Sequence, residues 1–217
     1  MRWHDIEQNT DDWMELRAGK LTSSRAGTLM ANAPKWGEPQ LRLVRKIAAE
    51  RHCGMSLDDG PTNKFMEMGH ELEPIARELY AREHMVDVDP GGFFERGNKG
   101  ASPDGLVGDD GVIEIKSVIA TTHALRIESG GIDPKYRWQI ANTLHVTGRE
   151  WLDFVSYCPQ FPRGQRLFVH RCYGADFGAE YIALNERIVE MEKRIKATLA
   201  LFRKFDPFGY QEGNACS

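Results

Sequence analysis

One hairpin constrains this chain more than any other stretch. Residues 101–107 and 112–117 are apolar runs separated by Gly108-Asp109-Asp110-Gly111, the local signature of two antiparallel strands. A three-residue loop, Asp109-Asp110-Gly111, fits a type I turn with Gly111 in the left-handed conformation. That register sets Gly108 opposite Val112 and Asp104 opposite Lys116. Strand side chains alternate with period two, so Val112, Glu114, Lys116 and Val118 share a face. Ile113, Ile115 and Ile119 then turn the other way, into a core. Asp104, Glu114 and Lys116 converge on one side of the hairpin. A solvent-facing strand with a cross-strand ion pair gives the same pattern. Pro103 weighs against that alternative, because it removes a ladder donor and bends the strand beside the acid. Two carboxylates can hold a hard divalent cation through oxygen, and a neighbouring ammonium can orient water or stabilise developing negative charge.

At 217 residues and 41% hydrophobic content, the chain can bury one substantial core. The expectation is a single domain over 1–217, with a loose tail from about 206. No run reaches the apolar length of a membrane span, and the first residues lack a basic-then-apolar leader. Cys53, Cys158, Cys172 and Cys216 are scattered without the paired spacing of a zinc or iron–sulfur site, which points to a reducing, cytoplasmic setting. The net charge of −4 argues against unspecialised nucleic-acid binding. Its distribution is more informative. From Arg17 to Arg51, the basic residues Arg17, Lys20, Arg25, Lys35, Arg42, Arg45, Lys46 and Arg51 face only Glu38 and Glu50. Such a stretch is either a set of solvated helix faces or a basic surface for DNA.

Helices are expected around Trp13 to Arg17, capped by Asp11 or Asp12, and from Arg25 to Met30 behind Thr22-Ser23-Ser24. A third begins at Pro39, with Leu41, Val44, Ile47 and Ala48 inward. After a turn at Asp58-Asp59-Gly60-Pro61, a long helical stretch runs from Thr62 to His84, which Gly69 and Pro74 must kink or divide. Further helices follow Thr122 and Asp133-Pro134, the latter carrying Tyr136 and Gln139. The runs 151–157 and 167–171 read as strands. A final helix spans about 179–205, with Ile182, Ile188, Val189, Ile195, Leu199 and Phe202 on its buried stripe.

The hairpin also carries a resemblance. Pro103-Asp104, nine intervening residues, then Glu114-Ile115-Lys116 is similar to the PD-(D/E)xK nuclease motif. Trp13-Met14-Glu15-Leu16-Arg17 with Gly19-Lys20-Leu21-Thr22-Ser23-Ser24 resembles the N-terminal motif of the phage lambda exonuclease-type recombinases, the YqaJ group. Met68-Gly69-His70-Glu71-Leu72-Glu73 is similar to that group's helical Gly-x-x-x-Glu motif, and Tyr136-Arg137-Trp138-Gln139 to its glutamine helix. The matches occur in family order over the first two-thirds of the chain, and joint occurrence is far more specific than any one motif. Two departures stand out: Ala141 where the family often has a second glutamine, and Ser117-Val118 where a proline often follows the lysine.

The resemblance implies an α/β fold with a restriction-endonuclease-like core, a mixed sheet of about five strands flanked by helices. It implies a magnesium-dependent exonuclease with two ions, in which manganese can substitute. Such an enzyme digests duplex DNA from its 5′ end, releasing 5′ mononucleotides and leaving a 3′ single strand for recombination by annealing. It further implies a trimeric ring, a single-strand annealing protein as partner, and a phage or prophage origin in a bacterial cytoplasm. By position, Asp104, Glu114, the Ile115 carbonyl and Glu73 would hold metal. Lys116 would position and activate water, and Gln139 would orient water or the scissile phosphate. Arg17 and Ser24, flanked by Thr22, Ser23 and Arg25, would recognise a terminal 5′-phosphate. Met66 is either a wedge between bases or a core methionine. The competing readings are a structure-specific or restriction-like endonuclease and a non-catalytic DNA-binding module.

Overall fold

Backbone hydrogen bonding sorts the strands of the computed structural model into two four-stranded sheets. The described residues are 1–57 and 64–205, without the side chains of 64–67. The expected turn at 58–61, the tail from 206 and Cys216 lie outside them, as does the side chain of Met66. One sheet has the order β1-β3-β4-β2, from β1 (Arg2–His4), β2 (Leu21–Thr22), β3 (Phe93–Arg96) and β4 (Lys99–Ala101). The other has the order β5-β6-β7-β8, from β5 (Gly105–Val107), β6 (Gly111–Ser117), β7 (Trp151–Tyr157) and β8 (Leu167–Tyr173). Within this second sheet only β6 and β7 are parallel. The class is the expected α/β arrangement of mixed sheets flanked by helices. Among the described residues there are eight strands in two sheets rather than one sheet of about five, and β1 and β2, three and two residues long, are too short for alternation to reveal them.

Seven helices surround the sheets among the described residues: α1 (Asp11–Arg17), α2 (Ser23–Met30), α3 (Glu38–Cys53), α4 (Lys64–His84), α5 (Ala120–Ser129), α6 (Arg137–Thr147) and α7 (Gly178–Lys204). Thr10, not Asp11 or Asp12, caps α1, its side chain accepting from the Trp13 N–H. Asp133 caps the short turn ahead of α6 as expected. Helix α4 is not divided; it runs through both Gly69 and Pro74. On α3 the inward positions are Leu43, Val44, Ile47 and Ala48, with Leu41 only half-buried. On α7 the buried stripe is Leu184, Ile188, Met191 and Ile195, whereas Ile182 and Val189 are exposed. That stripe packs on Leu21, α2 and α3 in one core.

β6 is the centre of the molecule. Its residues Gly111 to Ile115 are all buried, because helices cover both faces of the sheet. Val112 packs with Leu106, Ile140 and Leu144 beneath α6, while Ile113 and Ile115 pack with Ala76 and Tyr80 of α4. The Tyr80 hydroxyl donates to Asp153 on β7 at 2.6 Å, and Arg171 on β8 donates to the same carboxylate at 2.7 and 2.8 Å. This buried network fixes α4 to the sheet. Ile119, expected inward, is exposed, since β6 has ended and Ile119 caps α5.

The hairpin register differs from expectation by two residues. Leu106 faces Val112 and Val107 faces Gly111, so Asp104 lies opposite Glu114 rather than Lys116. Gly108 takes the positive φ, at 54°, in place of Gly111. The reason is Trp151, which packs across Gly111: a Cβ there would stand 2.1 Å from its ring. An even slip preserves the faces, so the three polar residues remain together.

Between β4 and β5 the chain breaks at Ser102-Pro103-Asp104. Gln8 donates to the Pro103 carbonyl at 2.9 Å, and Gly91 lies against it so closely that a Cβ would stand 1.7 Å away. Gly91→Ala should therefore destabilise the fold by about 1–3 kcal/mol in urea unfolding. Gly131→Ala, where the added Cβ meets only the Ser129 carbonyl oxygen at 3.9 Å, should change stability by less than about 0.5 kcal/mol. Equal effects would show that the Gly91 contact does not constrain the segment.

Candidate active site

A cavity of about 540 Å³ opens where the end of β6, the first turn of α6, the middle of α4 and the starts of α1 and α2 meet. It brings together Asp104, Glu114, Ile115, Lys116, Glu73, Gln139, Arg17 and Ser24, residues that the sequence singles out from six separate stretches. Each arrives for a local reason. Asp104 ends the Pro103 break, and its carboxylate accepts the Ile115 N–H at 2.5 Å. Glu114 and Lys116 share the α6-facing side of β6, and the ammonium donates to Glu114 at 2.5 Å. Gln139, one turn into α6, donates to the same Glu114 oxygen. Glu73 lies just ahead of Ala76 on α4 and pairs with Arg77. Gly69 also lines the wall, and its missing side chain widens the mouth.

The charges are arranged against one another. Burial pushes the Asp104 carboxyl well above the usual carboxylate range, and the nearby Glu114 and Glu73 charges push it further; Lys116 and the Ile115 N–H oppose them only in part. For Lys116, burial disfavours the ammonium, but the Glu114 and Asp104 carboxylates outweigh it and hold the group protonated above its ordinary range. Facing the two carboxylates, Lys116 is held as a hydrogen-bond donor and a positive charge.

Among the described residues, no three His, Cys, Asp or Glu side chains stand close enough together to hold a metal. Glu73, the third expected acid, has its carboxylate turned to Arg77. The donor set that does converge is Asp104, Glu114 and the backbone of Ile115, all oxygen, which fits a hard divalent cation. Two carboxylates repelling each other in a buried corner are the electrostatic condition a cation relieves.

On the opposite wall Arg17 stacks over the Trp13 ring at 3.9 Å and donates to Ser102 at 3.3 Å. Trp13 donates to the same hydroxyl at 3.0 Å. The Ser24 hydroxyl faces the cavity, with Thr22 behind it, buried and 3.3 Å from it. Ser23 also lines the wall, but its hydroxyl accepts from Asn142. Arg25 is turned away into an ion pair with the buried Glu50. The basic stretch is not one surface beside the acids: Lys20, Arg45 and Arg51 pair with Glu95, Glu38 and Glu192, and of that stretch only Arg17 reaches the cavity.

The wall also includes Gln8, Asn9, His70, Ser102 and Tyr136, which sequence reasoning did not assign to a site. Ser102 and Tyr136 stand inside or beside motifs that could have flagged them. Gln8 and Asn9 sit in a loop with no motif, and Asn9 adopts φ 67°.

Residues 12–150 match the family described as the YqaJ-like viral recombinase domain. An alkaline exonuclease, LHK-Exo, from Laribacter hongkongensis is 32% identical, over 90% of this chain and 99% of its own, with a TM-score of 0.77. LHK-Exo in complex with dAMP gives 31%, 90%, 97% and 0.80. A phage related exonuclease from Haemophilus somnus, 14% identical over 85% of this chain and 94% of its own, shares the fold with a TM-score of 0.57. No curated protein matches the chain.

The raised Asp104 carboxyl has a consequence for stability. Between the unfolded carboxyl pKa, about 3.9, and the raised folded value, the folded state binds more protons, so stability falls as pH rises through that window. In chelator above that window, Asp104→Asn should melt at a higher temperature than the parent. The gain should vanish as pH falls into the ordinary carboxylate range. A variant less stable at every pH would contradict the repulsion.

Proposed function

Since this chain belongs to the YqaJ-like viral recombinase family, we propose that it is a magnesium-dependent exonuclease digesting one strand of duplex DNA from its 5′ end. The observation that carries this reading is one cavity holding Asp104, Glu114 and Lys116 on one wall and Arg17 and Ser24 on the other. The first group suits phosphodiester hydrolysis and the second suits a terminal phosphate. Asp104, Glu114 and the Ile115 carbonyl would hold the cation, with Glu73 joining when it leaves Arg77. Magnesium, when bound, would supply positive charge against the negative charge developing on the phosphoryl oxygens, and manganese accepts the same ligands.

The chain's own groups do the rest. Glu114 fixes the Lys116 ammonium, which holds water or a phosphate oxygen by donation. Gln139 locks the Glu114 carboxylate through its amide, so its role is to orient the acid rather than to meet substrate directly. Arg17, stacked on Trp13 and anchored to Ser102, holds its guanidinium at the cavity wall, where its fork of donors matches a phosphate. Ser24 lies in the first turn of α2, where free N–H groups and the positive dipole end favour the same anion. The products are 5′ mononucleotides and a 3′-ended strand, which passes to a single-strand annealing protein in the bacterial cytoplasm. The protein works as a trimeric ring, for which the family resemblance is the support.

Digestion of an end-labelled linear duplex tests the chemistry. Magnesium or manganese should support release of mononucleotides, chelator should stop it, and an intact circular duplex should stay uncut. Asp104→Ala and Glu114→Ala should abolish cleavage in folded protein, and Lys116→Ala should lose most turnover while keeping DNA binding. Lys116→Arg should not restore it, because a planar guanidinium does not replace a compact ammonium. Cutting of the circle would favour an endonuclease instead.

The two walls predict separate defects. Losing one charge-assisted phosphate contact costs about 1.5–3 kcal/mol. Arg17→Ala should therefore slow digestion of 5′-phosphorylated duplex by roughly tenfold to a hundredfold and flatten its advantage over 5′-hydroxyl duplex. Equal slowing of both substrates would make Arg17 a general backbone contact.

A further inference from the structure

A second cavity, of about 450 Å³, lies at the other end of α6. Tyr136 and Gln139 at the start of that helix face the catalytic cavity, whereas Leu144, His145 and Gly148 at its end line this one. Arg96, Arg149, Tyr173 and Tyr181 complete the walls, and Glu150 is the only carboxylate among the lining residues.

The cations here are not neutralised. Among the described residues Arg96, Lys99 and Arg149 form no salt bridge. Lys99, beside the cavity, donates to the neutral amide of Asn185 at 2.9 Å. Arg149 donates to the backbone carbonyls of Gly108 and Gly111. Burial lowers the Lys99 ammonium, and the Arg96 charge lowers it further. Burial, with Lys99 and Arg96, pushes His145 down to about 4, so it stands neutral beside them. Arg96, Lys99 and Arg149 thus set three positive charges at this cavity against the one lining carboxylate, Glu150, a balance that favours an anion.

The second feature is aromatic. Tyr173 is 51% exposed at the mouth, and Tyr181 stands behind it with its ring 5.1 Å from that of His145. An exposed ring beside arginines that form no salt bridge is the arrangement that takes single-stranded nucleic acid, bases on the ring and phosphates on the cations. An acidic peptide would use the arginines and leave the rings idle.

The geometry points to this cavity as a second nucleic-acid site, which takes the phosphates of single-stranded DNA on Arg96 and Arg149 and stacks a base on Tyr173. For the source of the strand it rests on the exonuclease reading, since removing one strand leaves the other single. The site would hold the retained strand on the far side of α6 from the cutting site.

Binding of a short fluorescent oligothymidylate in chelator tests this apart from cleavage. Arg96→Gln and Tyr173→Ala should each weaken binding about tenfold, the loss of one phosphate or stacking contact. The same oligonucleotide carrying 5-iododeoxyuridine should photo-cross-link to the peptide containing Tyr173. Unchanged affinity in both variants, with cross-links only at Trp13 or Tyr136, would overturn the site. Arg96 also lies beside Gly148 at the C-terminal end of α6, where a cation complements the helix dipole. A lower melting temperature for Arg96→Gln with unchanged binding and no Tyr173 cross-link would assign it that structural role and overturn the proposal. Displacement of the cross-link by polyglutamate as readily as by unlabelled oligothymidylate would indicate an acidic peptide instead. Duplex digestion by the parent protein, run in parallel, separates failure of the exonuclease reading from failure of this one.

Discussion

The repulsion between Asp104 and Glu114 is the interaction on which the rest of the structure depends. Burial and the Glu114 charge opposite raise the proton affinity of Asp104, and the fold tolerates the pair through three donors. The Ile115 N–H serves Asp104, and Lys116 and Gln139 serve Glu114. The same burial that makes the pair costly also makes it useful, because low dielectric strengthens any cation or phosphate interaction there. Covering β6 on both faces creates that condition. α6 brings Gln139 to one side, and α4, pinned through Tyr80, Asp153 and Arg171, brings Glu73 to the edge.

The Ser102-Pro103-Asp104 break connects the two walls of the site. Ser102 takes donors from both Trp13 and Arg17, while Asp104, two residues later, faces Glu114. Arg17 and Asp104 therefore hang from one short segment, held from behind by Gln8 and Gly91. Under the proposed function, the distance from a terminal phosphate to the acid pair would then depend on few flexible joints, as a site built on rigid elements requires.

Much of this was legible in the sequence, and the exceptions share a cause. Alternation along β6 placed Glu114 and Lys116 on one face whatever the register, so the convergence survived a two-residue slip. The turn itself was misassigned because two glycines flank it. Which one bends depends on Trp151, a residue forty positions away that needs Gly111 flat. Helix faces showed the same limit: Ile182 and Val189 are as apolar as Leu184 and Met191, and only docking on α2 and α3 chooses between the stripes. The basic run was visible as charge, yet its partners Glu50 and Glu192 come from helix faces whose pairing no local pattern encodes. Gln8 and Asn9 reach the cavity from a loop, where residue type carries little positional information.

The central claim is that the hairpin acids form a divalent-cation site. The most direct measurement is an anomalous difference map from crystals soaked in manganese. The account predicts a peak bounded by the Asp104 and Glu114 carboxylates and the Ile115 carbonyl, absent from Asp104→Asn crystals. No peak there at saturating manganese, or a peak that persists unchanged in that variant, would contradict it.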